Sequence, residues 1–125
     1  MMANVQIGPI TVANGATDSP AMRVSHTVSD ATHVAILSPT LAETATLQVS
    51  YDFDVDYDAK GLTLAAATAA ATWVAPPTAT LGATGAAFLV AAEQLTAAAW
   101  RIHLSGAAGA ERVFQAWKRV YGPIT

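Results

Sequence analysis

Cysteine is absent from this chain, which excludes a disulfide scaffold and a thiolate metal site. Charge is scarce. Only 12% of the residues are charged while 53% are hydrophobic, against roughly 25% charged in an ordinary soluble domain. No charged residue lies between Gly61 and Ala92. The apolar runs are also too short for a membrane-spanning helix, which needs about 20 apolar residues. Thr63, Thr68, Thr72, Pro76, Pro77, Thr78 and Thr80 interrupt the uncharged stretch. Met1–Val12 lacks a basic region followed by an apolar one, so no signal peptide is expected. A chain this poor in charge is best explained if much of its surface is buried against other subunits. It reads as an assembly component before it reads as an enzyme.

With 125 residues the chain is long enough for one domain with one core. A net charge of -3 is too small to imply a partner and argues against nucleic-acid binding. The charges are unevenly placed. Residues 1–99 hold two bases, Arg23 and Lys60, against eight acids, a net of -6. Residues 100–125 hold Arg101, Arg112, Lys118 and Arg119 against Glu111, a net of +3. Chance in a small count explains this; so does contact between an acidic and a basic patch on neighbouring copies.

Val5, Ile7, Ile10 and Val12 around Gly8-Pro9 read as a kinked edge strand, because proline cannot donate to a ladder. Asn14-Gly15 is a turn signal. Met22, Val24 and Thr27-Val28 form a second alternating segment, with a turn at Ser29-Asp30. Val34–Leu37 before Ser38-Pro39 fits a central strand, and Thr40–Thr44 a loop or one helical turn. Thr46–Asp58 alternates over its whole length, with Leu47, Val49, Tyr51, Phe53, Val55 and Tyr57 on one side and the polar residues on the other. It reads as one strand, or two divided by a turn. Leu62–Thr84 is rich in alanine and threonine, and Pro76-Pro77 argue against a long helix. A loosely packed strand pair near Leu62–Leu64 and Thr72–Val74 is expected, followed by a loop over Thr78–Gly85. In the last third, Phe88, Ala92, Leu95 and Ala99 have helical spacing, as do Val113, Trp117, Val120 and Tyr121. Ile102 and Leu104 alternate against Arg101 and His103. The residues alone leave this region open between all-β and α+β.

The sharpest chemical cluster is Asp52, Asp54, Asp56 and Asp58. On one strand face, neighbouring carboxylates would repel by about 0.2–1 kcal/mol. Calcium could compensate, since it takes several oxygen ligands. However, Tyr57 stands where a calcium-binding loop needs glycine, and Thr63 where it needs glutamate, so that motif is rejected. A solvated acidic face, a surface for basic residues of a neighbouring subunit and a metal site remain. His26, His33 and His103 show no ligand spacing. No G-x-S-x-G elbow and no phosphate-binding glycine loop is present. Trp73, Trp100, Trp117, Phe88 and Phe114 read as core anchors, with interface anchoring as the other use of tryptophan. Sugar binding would need exposed aromatics beside a polar cleft.

Three stretches carry a resemblance to a small β-sandwich module of tailed-bacteriophage virion proteins. They are Ile10-Thr11-Val12-Ala13-Asn14-Gly15 with Ser19; Val34-Ala35-Ile36-Leu37-Ser38-Pro39 with Leu47-Gln48-Val49-Ser50; and Ala87-Phe88-Leu89-Val90 with Ala97–Leu104, Ser105-Gly106 and Arg112-Val113-Phe114. Together they cover about two-thirds of the chain. Tyr51–Asp58 and Leu62–Ala79 depart from the pattern. The resemblance implies an all-β fold: a single β-sandwich of jelly-roll type over residues 1–125, with about eight strands and one short helical turn. It implies that Ala86–Ala92 and Val113–Val120 are strands.

The expected function is therefore non-enzymatic: a structural protein of a tailed-phage virion, as a capsid decoration or cement subunit. A neck, tail or fibre adaptor is the first alternative, and a carbohydrate- or calcium-binding module the second. The expected partners are the major capsid protein or other virion proteins and further copies of the chain, a trimer among the sizes considered. No nucleic acid, membrane or cofactor is expected. Asp52, Asp54, Asp56, Asp58, Arg101, Arg112, Lys118 and Arg119 are the interface candidates. The N-terminal arm, residues 1–8, and the small-residue segment, residues 62–85, are the parts expected to reach neighbours.

Overall fold

The computed structural model describes residues 2–27, 31–76, 80–81, 87–90 and 96–121. Seven strands and two short helices lie among them: β1 (Met2–Val12), β2 (Met22–Arg23), α1 (Val24–Thr27), β3 (His33–Leu37), β4 (Ala45–Ser50), α2 (Leu64–Ala70), β5 (Ala87–Leu89), β6 (Ala99–Leu104) and β7 (Arg112–Tyr121). The chain is mostly β, as expected, with seven named strands where about eight are expected. The strands form two antiparallel sheets, one ordered β1-β7-β3-β5 and the other β2-β6-β4.

Alternation decides which side chains enter the core. Val34 and Ile36 of β3, Phe114 and Ala116 of β7, and Ile7, Ile10 and Val12 of β1 are buried from the four-stranded sheet. Ala45, Leu47 and Val49 of β4 and Trp100, Ile102 and Leu104 of β6 are buried from the three-stranded sheet. All belong to one apolar cluster, so the two sheets share a core. Trp100 and Phe114 are its largest fully buried members, as expected of anchors. Phe88 lies on β5, whose side chains are outside the description.

Several local expectations hold. The strand register shifts between Ile7 and Ile10, which is the kink at Gly8-Pro9, and β1 is an edge strand. Gly15 takes φ +84°, a conformation open to glycine, and donates its N–H to Ala108 O at 2.8 Å. β3 is central, between β7 and β5. In the last third β5 and β7 are strands, so sheet pairing overrides the helical propensity of their residues. Ala92 and Leu95, the turn at Ser29-Asp30, and Gly82–Gly85 of the expected loop lie outside the described residues.

Others are corrected. The alternation of Thr46–Asp58 is neither one strand nor two: β4 ends at Ser50, residues 51–63 hold no strand, and Tyr51, expected on the same side as buried Leu47 and Val49, is 61% exposed. The segment expected as an alternating strand from Met22 is a strand for two residues only, because Val24–Thr27 turns into α1, and Val28 lies outside the described residues. Leu62–Val74 is not a strand pair: Leu64–Ala70 is helix α2, capped by Thr63, whose hydroxyl accepts the Ala66 N–H at 3.1 Å. Met2–Ile7 of the expected N-terminal arm pairs residue for residue with Tyr121–Ala116 of its own chain, and its other edge is the edge of the sheet. The described part of residues 62–85 folds back on its own sheet. Val74 and Val49 exchange both backbone hydrogen bonds at 2.9 Å, Thr80 bridges Thr46, and Leu81 donates to Ala45 O. This places Val74, Thr80 and Leu81 along the edge of β4 away from β6.

Candidate functional site

The outer face of the three-stranded sheet carries a dense polar arrangement. With Trp100, Ile102 and Leu104 turned inward, β6 presents Ala99, Arg101 and His103 outward, beside Ser50, Gln48 and Thr46 of β4. Over this face lies a cap formed by residues 51–76. Phe53, 4% exposed, is its anchor and packs with Ala67 of α2 and Ala99 of β6. Tyr57 meets Phe53 edge-on at 5.9 Å, and Trp73 lies 6.2 Å from Phe53 on a tilted ring. Two cations tie the cap to the sheet. The Arg23 guanidinium of β2 lies 5.0 Å from the Tyr57 ring centroid and that of Arg101 4.6 Å from Trp73.

The four aspartates sit in this cap, on turns rather than on one strand face. The Asp52 carboxylate accepts from the Thr72 N–H at 2.8 Å and the Ser50 hydroxyl at 2.9 Å. Those donors hold its pKa below the usual carboxylate value, the Thr72 N–H foremost. Asp54 accepts from Lys60 Nζ at 2.9 Å and from the Asp56 N–H at 3.1 Å. Lys60 lowers the pKa of Asp54, and Asp54 raises that of Lys60. Asp58 accepts from Arg23 Nη1 at 3.2 Å, which lowers its pKa, and from the Ala59 N–H at 3.0 Å. Asp56 is exposed. The repulsion expected on a strand is thus relieved by turn N–H groups and local cations, which is the usual chemistry of aspartate in turns. Among the described residues no cluster of three or more His, Asp or Glu side chains could hold a metal ion.

The four basic candidates fall in three places. Arg101 lies under the cap, where its Nε donates to Gln48 Oε1 at 2.8 Å and stands 3.6 Å from Asp18 Oδ1. Arg112, at the start of β7, makes a two-pronged pair with Glu43, at 3.0 and 3.1 Å, and donates to Thr40 O at 3.0 Å. That pair is well covered and lowers the pKa of Glu43. Lys118 and Arg119 lie on the four-stranded sheet, where Arg119 Nε donates to Asn4 Oδ1 at 3.1 Å. The structure therefore brings Arg101 to the cap that holds the aspartates and places Arg112, Lys118 and Arg119 elsewhere.

Sequence reasoning passed over three partners: Asp18, Glu43 and Arg23. Asp18 Oδ1 lies 2.6 Å from His103 Nδ1, and its backbone bridges the same residue. Asp18, Arg101 and part of α2, with Leu64, Ala65 and Thr68, line an open trough of about 840 Å³. Only the pairing of distant segments assembles these contacts, and no local spacing announces it.

No protein-family model matches the chain, and no curated protein matches its sequence.

Proposed function

We propose that this chain is a jelly-roll β-sandwich acting as a non-enzymatic structural subunit of a tailed-phage virion, bound to the capsid exterior as a decoration or cement protein. The observation that carries the fold reading is nested pairing. If the residues that bridge to β4, Val74 and Thr80, are counted as the fifth of eight strands, the first pairs with the eighth, the second with the seventh, the third with the sixth and the fourth with the fifth. A long antiparallel hairpin wound into two facing sheets gives this nesting, and the β7–β3 and β6–β4 contacts are the seams of the winding. Pro76 has no N–H to offer a ladder, which fits a fifth strand represented by isolated bridges among the described residues.

For the structural role, support comes from how the few charges are spent. Arg23, Lys60, Arg101 and Arg112 each have an acidic partner within the chain. The surface left over includes exposed Val5, Leu37, Tyr51, Leu62 and Val74. Such a surface suits contact with other subunits. The calcium reading loses its geometric premise, because the aspartates do not share a strand face.

The test is addition of the purified chain to expanded shells assembled from the major capsid protein of the same phage. Saturable binding with a raised heat-disruption threshold supports the reading. Electron microscopy then separates decoration of the whole shell from a single-vertex neck or tail location. A chain that stays in the supernatant with every virion component overturns it.

A further inference from the structure

We infer that the free edge of β1 pairs with the β1 edge of a second copy across a two-fold axis, through residues 3–7. Nothing in this inference depends on the virion reading. β1 ends the four-stranded sheet, and Ala3, Asn4, Val5 and Gln6 are all exposed although each is paired with β7. Natural sheet edges are usually guarded by lysine, proline or an inward charge. Met2–Val12 contains no charged residue, and its one proline, Pro9, lies at the bulge beyond the free stretch.

Which backbone groups face outward follows from the ladder. Val90 donates to Val34 O at 2.9 Å, so the backbone of Val34 is turned to β5. In an antiparallel sheet the direction alternates. Ala35 and Trp117 therefore face each other across β3 and β7, and Lys118 faces Val5 across β7 and β1. The backbone groups of Asn4 and Gln6 are then the ones that point off the free edge.

The segment is its own complement. A two-fold axis through Val5 sets Asn4 against Gln6 of the second copy, the pair whose N–H and C=O groups face outward. It sets Val5 against Val5 and Ala3 against Ile7. Amides meet amides on the outer face, where Gln6 already bonds Gln115 at 2.6 Å. Apolar side chains meet apolar ones on the face that carries buried Ile7, covering Val5, which is 42% exposed in one chain. No like charges meet. The nearest cations stand on β7, and Arg119 among them is engaged by the Asn4 amide oxygen at 3.1 Å within its own chain.

The absence of cysteine makes the test clean. Sedimentation velocity over a concentration series should show a monomer–dimer equilibrium. Val5→Lys should weaken it at least tenfold while leaving the circular dichroism spectrum of the chain unchanged. Val5→Cys should cross-link to a dimer under mild oxidation, since directly opposed non-hydrogen-bonded positions place their Cβ atoms about 4.5–5.5 Å apart, while Leu62→Cys, exposed in the cap, should not. A monomer at all concentrations, an oligomer that Val5→Lys leaves intact, or failure of Val5→Cys to cross-link above the Leu62→Cys background would each overturn the inference.

Discussion

Arg101 stands with its guanidinium carbon 4.6 Å from the centre of the Trp73 ring, while its Nε donates to Gln48 on the neighbouring strand. One side chain thus joins the cap to the three-stranded sheet by stacking above and hydrogen bonding below. Arg101→Ala removes both and leaves Asp18 without its nearby cation. The expected cost is about 1–2 kcal/mol. Trp73 fluorescence should shift to the red as the cap loosens. Lysine at the same position should recover only part of the loss, because it lacks the planar group that stacks. An unchanged emission maximum and unfolding midpoint in Arg101→Ala would refute the role given to this contact.

Two buried serines should behave oppositely. Ser19, 3% exposed, accepts the Ile102 N–H through its hydroxyl at 2.8 Å and donates its own N–H to Ile102 O at 2.9 Å. Ser19→Ala leaves the Ile102 N–H buried without an acceptor and should cost about 1–3 kcal/mol. Ser38, 5% exposed, has a buried hydroxyl with no partner among the described residues. Ser38→Ala should be neutral or slightly stabilising. Urea titration of both variants decides the matter, and equal losses would contradict the hydrogen-bond assignment.

The same contrast shows what could be read from the residues alone. The core strands were legible because Leu47 and Val49, or Ile102 and Leu104, alternate with polar neighbours and the alternation has one physical meaning on a half-buried strand. At Asp52–Asp58 it has two meanings. Aspartate at every second position fits a strand face, yet aspartate also bonds nearby backbone N–H groups and so builds turns. Protein donors at Thr72, Asp56 and Ala59 decided for turns. At Leu64–Ala70 alanine propensity and a Thr63 cap outweighed the neighbouring prolines, which stand beyond the helix. In β7 the reverse occurred, and pairing with β1 and β3 on both sides overrode a helical pattern. Asp18 beside His103 and Glu43 beside Arg112 join residues far apart in the chain, so only the strand register could reveal them.

Leu47 and Leu62 test how the core is divided. Leu47 is fully buried between the sheets, and Leu62 is 47% exposed in the cap. Leu47→Ala should cost about 2–5 kcal/mol from lost transfer energy and the cavity left behind. Leu62→Ala should fall within about 0.5 kcal/mol of the parent. Paired urea melts would expose an error if Leu62→Ala proved the more damaging.

Acid should unfold the chain through its paired carboxylates, and the sign can be worked out. Glu43, Asp52, Asp54 and Asp58 all have folded pKa values below their ordinary ones, near 4.5 for glutamate and 3.8 for aspartate. A lowered pKa means the folded state binds the proton less readily than the unfolded state. Each group therefore stabilises the fold above its ordinary value, and that stabilisation is lost as pH falls through the lowered one. Lys60 has the opposite shift, so its contribution is present below about 10.5 and fades as pH rises past its raised value. The urea midpoint should fall steadily from about pH 5 downward. Glu43→Gln should flatten that fall most, because its partner Arg112 holds it in a two-pronged, poorly exposed pair that salt screens least. Asp58→Asn should flatten it less, and its effect should shrink in high salt, because its bond to Arg23 is single and open to solvent. A parent midpoint that stays level from pH 6 to the acid limit would show that these pairs do not couple to folding.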